Sequence, residues 1–133
     1  MYQRALQGNE KALGPGHTST LDTVYNLGDL YVKQGKLDDA EKMYQRASQG
    51  YEKALGLENV ARYRPALNTM WALGNLFADQ RHLDEAKEMY SRAYTGFQAV
   101  LGPSSNQCQQ LENIIASLDS TQGKRKDISI LFD

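Results

Sequence analysis

Apolar positions recur along this chain in two alternating helical patterns. In the first, Leu21, Val24, Leu27, Gly28, Leu30 and Tyr31 stand three and four residues apart with polar residues between them, the spacing of one helix face. In the second, Ala40, Tyr44, Ala47, Tyr51 and Ala54 step by four and three. That seam of alternating small and aromatic residues implies roughly 18 residues and ~27 Å of helix at 1.5 Å per residue. Only Gln34-Gly35-Lys36-Leu37 separates the two patterns, with Gly35 where a helix C-terminus is expected, so the helices are predicted to be antiparallel neighbours. Residues 67–80 and 84–101 repeat the arrangement, with Pro65 where a first helical turn tolerates it. A third helix of the first type follows Pro103, with Leu111, Ile114, Ile115 and Leu118 as its apolar positions. Ser19 with Asp22, and Ser104 with Gln107, read as capping boxes.

The patterns recur because the sequence does. Residues 1–14 (MYQRALQGNEKALG) and 43–56 (MYQRASQGYEKALG) differ only at Leu6/Ser48 and Asn9/Tyr51, an offset of 42. A third copy, MYSRAYTGFQAVLG, starts at Met89, an offset of 46, and the four extra residues fall between Gly56 and Leu67. Residues 21–42 align with 67–88 in the same way. Self-similarity at such a period marks an array of stacked units. Gly8, Gly50 and Gly96 occupy one place in the three second-type helices, and Gly28 and Gly74 one place in the first-type helices. A mid-helix Gly costs about 1 kcal/mol against Ala, so its recurrence predicts a neighbouring helix packed too close for a Cβ.

Leu27-Gly28-x-x-Tyr31 followed by Ala40, Tyr44 and Ala47 resembles the tetratricopeptide repeat, and Leu73-Gly74-x-x-Phe77 followed by Ala86, Tyr90 and Ala93 matches again. Val24 and Met70 stand where that family most often has Trp. The usual Pro after the second helix is missing, and the period is longer than the usual 34. The 42-residue period, the long second helix and the linker Ala12-Leu13-Gly14-Pro15-Gly16-His17 look like the variant of kinesin light chains and of the C-terminal arrays of fungal NACHT or NB-ARC receptor-like proteins. Near-identity of adjacent copies is more similar to the fungal arrays. The resemblance covers residues 1 to about 122. It implies an all-α fold, a right-handed superhelical α-solenoid of antiparallel helix pairs.

The expected organisation is a second helix of a truncated repeat at 1–13, full repeats at 18–56 and 62–102, a degenerate first helix at 104–122, and a C-terminal extension at 123–133. Gln122-Gly123-Lys124 echoes Gln34-Gly35-Lys36, but KRKDISILFD keeps nothing of the repeat. Opening in mid-repeat, the chain reads as a fragment of a longer array, since arrays normally carry polar capping units.

Composition narrows the function classes. Fifteen basic and sixteen acidic residues among 133 leave a net charge of −1, without the clustered cations of a nucleic-acid arm. The longest apolar runs are a few residues, too short to span a bilayer, and Met1-Tyr2-Gln3-Arg4 lacks the apolar core of a signal peptide. The lone Cys108 can make neither an internal disulfide nor a zinc site, which points to the cytoplasm. His17 lies in a linker and His82 in a tight turn, neither with a catalytic partner. Asp38-Asp39 and Asp84-Glu85 sit in first helical turns, where the helix dipole explains them. No phosphate loop, metal cluster or cofactor motif is present, and the expectation is a non-enzyme.

What remains is binding. In stacked helix pairs the first-type helices line an inner groove, and the groove positions are those left once the packing set is removed. These are Asp22, Tyr25, Asn26, Asp29 and Lys33; then Asn68, Trp71, Ala72, Asn75 and Asp79; then Gln110, Asn113, Ser117 and Thr121. Asn side chains can both donate to and accept from a peptide backbone, and Tyr25 and Trp71 offer apolar anchors. By resemblance, groove Asn residues of kinesin light chains hold cargo peptides. Asn26 matches such a position and Ala72 does not. The paired Lys and Asn that clamp a C-terminal carboxylate in chaperone co-factors are missing. The expected partner is therefore a protein or peptide held in the groove, with no nucleic acid and no membrane. The alternative is a structural element that self-associates through the apolar array ends at 1–13 and 120–133.

Overall fold

The structure, a computed structural model, describes the backbone of residues 2–14 and 16–132 and the side chains of residues 4–12, 14 and 16–120. Pro15 of the first linker and Asp133 lie outside the described residues, as does the side chain of Thr121. Six helices follow one another: α1 Tyr2–Leu13, α2 Thr18–Lys33, α3 Leu37–Val60, α4 Arg64–Asp79, α5 Leu83–Leu101 and α6 Asn106–Phe132. Among the described residues there is no strand. Each helix packs mainly on its neighbours in sequence, α1 on α2, α2 on α3, α3 on α4, α4 on α5 and α5 on α6. The chain is an α-solenoid of helix pairs, and its core is a row of local clusters instead of one centre.

The small–aromatic seam forms that core. Ala40, Tyr44, Ala47 and Tyr51 of α3 are buried, as are Ala86, Tyr90, Ala93 and Phe97 of α5. Leu21, Val24, Ala47 and Tyr51 close the first pair together with Val60 and Ala66, which tie it to the second. Tyr44 bridges onward to Leu73 and Leu76. Ala54, the last position of the predicted seam, is exposed, because α3 breaks two residues later at Gly56 (φ 80°, ψ 162°). Residues 57–60, within the segment that holds the four-residue insertion, form one further turn beyond that break. It sends Val60 back into the core and leaves Leu57 75% exposed.

The glycine expectation holds wherever a partner helix exists. A Cβ on Gly50 would stand 2.4 Å from Leu21 Cδ2, and one on Gly96 2.2 Å from Leu67 Cδ2 and 2.7 Å from the Ala61 carbonyl. On Gly28 and Gly74 it would meet the rings of Tyr44 and Tyr90 at 2.7 and 2.8 Å. Gly8 departs from the expectation, with nothing within 4 Å. The leucine that covers Gly50 and Gly96 comes from the first helix of the same pair, and α1 has no such helix packed on it.

Turn chemistry follows the repeat with one substitution. After α2, Lys36 N–H donates to Tyr31 O at 2.9 Å and Gly35 N–H to Val32 O at 3.0 Å, with Gly35 at φ 76°. After α4, His82 and Arg81 make the same two bonds, to Phe77 O and Ala78 O, but Arg81 is forced to φ 65°. Both capping boxes are corrected. His17 Nδ1 caps α2 by accepting from Ser19 N–H at 3.1 Å, while Asp22 is drawn to tyrosine hydroxyls. Ser105 Oγ caps α6 by accepting from Cys108 N–H at 3.2 Å, one residue later than expected. Finally, α6 runs through Gly123 without a turn, despite the echo of residues 34–36.

Gly96→Ala is expected to lower stability by about 1–3 kcal/mol, because its Cβ meets a backbone carbonyl that cannot swing away. Gly8→Ala, in open space, is expected to gain up to about 1 kcal/mol. Arg81→Gly should gain about 1 kcal/mol by relieving the left-handed backbone. Urea melts of the three variants check all of these; a Gly96→Ala protein as stable as the parent would contradict the close-contact account.

Candidate functional site

With their apolar faces turned to α3 and α5, α2 and α4 lie side by side and leave polar faces outward. Between them opens a groove of ≈ 470 Å³. Equivalent residues of the two helices, 46 apart, form ranks across it: Tyr25 and Trp71, then Asp29 and Asn75, then Lys33 and Asp79.

The aromatic rank is half-buried. Tyr25 packs on Tyr44 with ring centroids 5.6 Å apart, and Trp71 meets Phe97 edge-on at 6.1 Å. Each ring thus rests against the outer helix and also lines the groove. The middle rank is anchored from behind. Tyr44 donates its hydroxyl to Asp29, and Tyr90 donates to Asn75 Oδ1 at 2.6 Å. Burial, then the Asp29 carboxylate, pushes the Tyr25 phenol up to about 12. Burial and Asp79 do the same to Tyr90, also up to about 12. Burial and the bond to Asp29 raise Tyr44 as well.

Of the residues singled out from the sequence, the groove brings together Tyr25, Asp29, Lys33, Asn68, Trp71, Ala72, Asn75 and Asp79. It leaves out Asp22, Asn26, Gln110, Asn113 and Ser117. Asp22 accepts from Tyr51, with Tyr63 Oη at 3.4 Å from both of its carboxylate oxygens, so it joins α2 to α3 and the start of α4. At its equivalent Asn68 the residue matching Tyr51 is Phe97, which has no hydroxyl, and Asn68 lines the groove. Asn26 matches Ala72, which lines the groove from the side of α4 that faces α2. On α2 that same side looks away from α4.

The α6 residues fail for a matter of register. Cys108, Leu111, Ile114 and Leu118 carry its packing face, in the spacing of Leu21, Val24, Leu27 and Tyr31. The places of Tyr25 and Asp29 are then taken by Glu112 and Ala116, one residue before Asn113 and Ser117. Glu112 is held by the Tyr94 hydroxyl at 2.7 Å, and no aromatic anchor exists there.

Sequence reasoning missed Val32, Tyr44 and Leu76, which also line the groove. Tyr44 belongs to the predicted packing seam, and Leu76 is the equivalent of the apolar Leu30. Val32 is an apolar residue, 39% exposed, on an otherwise polar face, and that was the available signal.

Residues 1–53 match the family model of the tetratricopeptide repeat. That span covers α1, α2 and most of α3, and α4 with α5 repeat its second half at an offset of 46. Tetratricopeptide repeats are non-catalytic modules that generally mediate protein–protein interactions. No curated protein matches the chain closely enough to count as a relative. Among the described residues no helix is long and apolar enough to cross a membrane.

The tyrosines predict alkaline instability. An unfolded phenol ionises near pH 10, whereas Tyr25 and Tyr90 resist to about 12 and Tyr44, Tyr51 and Tyr63 are also raised. Their contribution is complete below pH 10 and is lost as pH rises from 10 towards 12. Thermal melts from pH 8 to 11.5 should stay flat and then fall steeply. Tyr51→Phe, which mimics Phe97, should make that fall shallower.

Proposed function

We propose that this protein binds a peptide or protein segment in the groove between α2 and α4, as part of a larger cytoplasmic scaffold or receptor-like protein of the kinesin light chain or NACHT/NB-ARC kind. The observation that carries this reading is the Tyr25/Trp71 pair. Two half-buried aromatic rings, each braced by the outer helix, stand open on a groove whose rim is polar. Rigid aromatic surface of this kind supplies anchoring area at low entropic cost. Beside it, the exposed Asn68 has an amide that can pair with a peptide backbone in both senses.

A second reading, association through the array ends, has its own support. Arg46 pairs with Glu10 and Arg92 with Glu52, yet the equivalent Arg4 has no ion pair among the described residues, and Gly8 is uncovered. The Arg4 position of α1 is thus suited to receive another helix of the second type, and the Gly8 position a helix of the first type.

Trp71→Ala should weaken a groove ligand by about 2 kcal/mol, roughly thirtyfold. Asn68→Ala should weaken it less, and Arg46→Ala, on the outer helix, not at all. Titration of a purified partner against the three variants checks this, with melting curves to show that each is folded. Light scattering over a wide concentration range tests the second reading: a mass that stays monomeric removes it.

A further inference from the structure

We propose that the groove selects a segment with a cationic side chain, Lys or Arg, that sits at Asp79 while a neighbouring apolar residue meets Tyr25 and Trp71. This rests on the groove reading above and adds the chemistry of its occupant.

Lys33 and Asp79 are equivalent positions, and they are the last residues of α2 and α4. A helix C-terminus carries about half a negative charge. Lys33 complements it, whereas Asp79 adds a full negative charge to an end that is already negative. A carboxylate there works against the stability of α4, and a local rule broken at a cleft is where function is to be sought.

Among the described residues no cation forms an ion pair with that carboxylate. Along α2, Asp29 and Lys33 are four residues apart in the carboxylate-first order that attracts on a helix surface. On α4 the place of Asp29 is taken by neutral Asn75, and the other charged residue is Arg64 in the first turn, ~22 Å away along the axis. The ion pairs among the described residues join Arg46 to Glu10, Lys87 to Asp119 and Arg92 to Glu52. Neither Lys33 across the groove nor Arg81 in the following turn comes within 4 Å of Asp79 in an ion pair. The field of the carboxylate is nonetheless felt at Tyr90, whose phenol it helps to raise.

The walls suit a long cation. Val32, Leu76 and Trp71 share the groove with Asp79. The aliphatic stem of Lys or Arg can lie on them while its head reaches the carboxylate. Trp71 and Asp79 are eight residues apart on α4, ~12 Å. An extended segment rising about 3.3 Å per residue therefore places its cation three or four residues from its anchor.

The test uses two fluorescein-labelled peptide pools read by fluorescence polarisation. Both have a central Leu or Trp in an Ala/Ser background. One carries Lys or Arg three or four residues away, the other Glu or Asp. The cationic pool is expected to bind at least fivefold tighter. Asp79→Asn should erase the difference, and Asp79→Lys should reverse it with a Tm no lower than the parent's, so misfolding cannot explain the change. Equal binding of the two pools, or a preference that survives Asp79→Asn, overturns the proposal. If binding is equal but lost in Trp71→Ala, the groove reading stands and the cation preference falls. If neither pool binds, both fall.

Discussion

In each helix pair two large side chains lie where a glycine leaves no Cβ: Tyr44 against Gly28 and Leu21 against Gly50, then Tyr90 against Gly74 and Leu67 against Gly96. The interlock is reciprocal, since each helix supplies one glycine and one bulky residue. It sets how closely the inner and outer helices approach. It also decides where the outer tyrosines end up. Seated over Gly28, Tyr44 passes its ring to the groove floor beside Tyr25 and its hydroxyl to Asp29. Seated over Gly74, Tyr90 passes its hydroxyl to Asn75. The inner surface is thus shaped from behind by the packing of the outer helices.

Between pairs the contacts are of another kind. Val60 and Ala66 join the first core to the second, and Arg46–Glu10 and Arg92–Glu52 repeat along the outer helices. These ion pairs are about one-third exposed on both partners. Pairs of that exposure contribute at most about 1 kcal/mol each, so they set register more than they add stability. The ladder ends in sequence as well as in space, for Gln98 stands where Glu10 and Glu52 stood. The next helix, α6, is held to α5 by different contacts, Tyr94 to Glu112 and Lys87 to Asp119.

Small departures from the repeat give the groove its character. Phe97 in place of Tyr51 removes the hydroxyl that holds Asp22, and Asn68 is left open. Asn75 in place of Asp29 and Asp79 in place of Lys33 shift the charge of one wall while the packing behind it stays the same. A duplicated unit can vary in this way because its core positions and its groove positions are different residues on the same helices.

The helix pairs, their short turns and the glycine contacts were legible in the sequence, because each depends on spacing along one helix or on a motif repeated at a fixed offset. Leu21 and Gly50, or Tyr44 and Gly28, need only the antiparallel pairing that a four-residue connection dictates. The same reasoning placed Tyr25, Asp29 and Lys33 on one face of α2 and their counterparts on one face of α4. What only the tertiary structure decided was which of those polar residues remain free. Asp22 was lost to tyrosine hydroxyls that arrive from α3 and from the residue before α4, a contact between segments 29 and 41 residues away. Asn113 and Ser117 are a different case: the spacing of Cys108, Leu111, Ile114 and Leu118 already sets them one residue past the places of Tyr25 and Asp29. Helical periodicity fixes which residues share a face, but a hydrogen bond across elements leaves no trace in that periodicity.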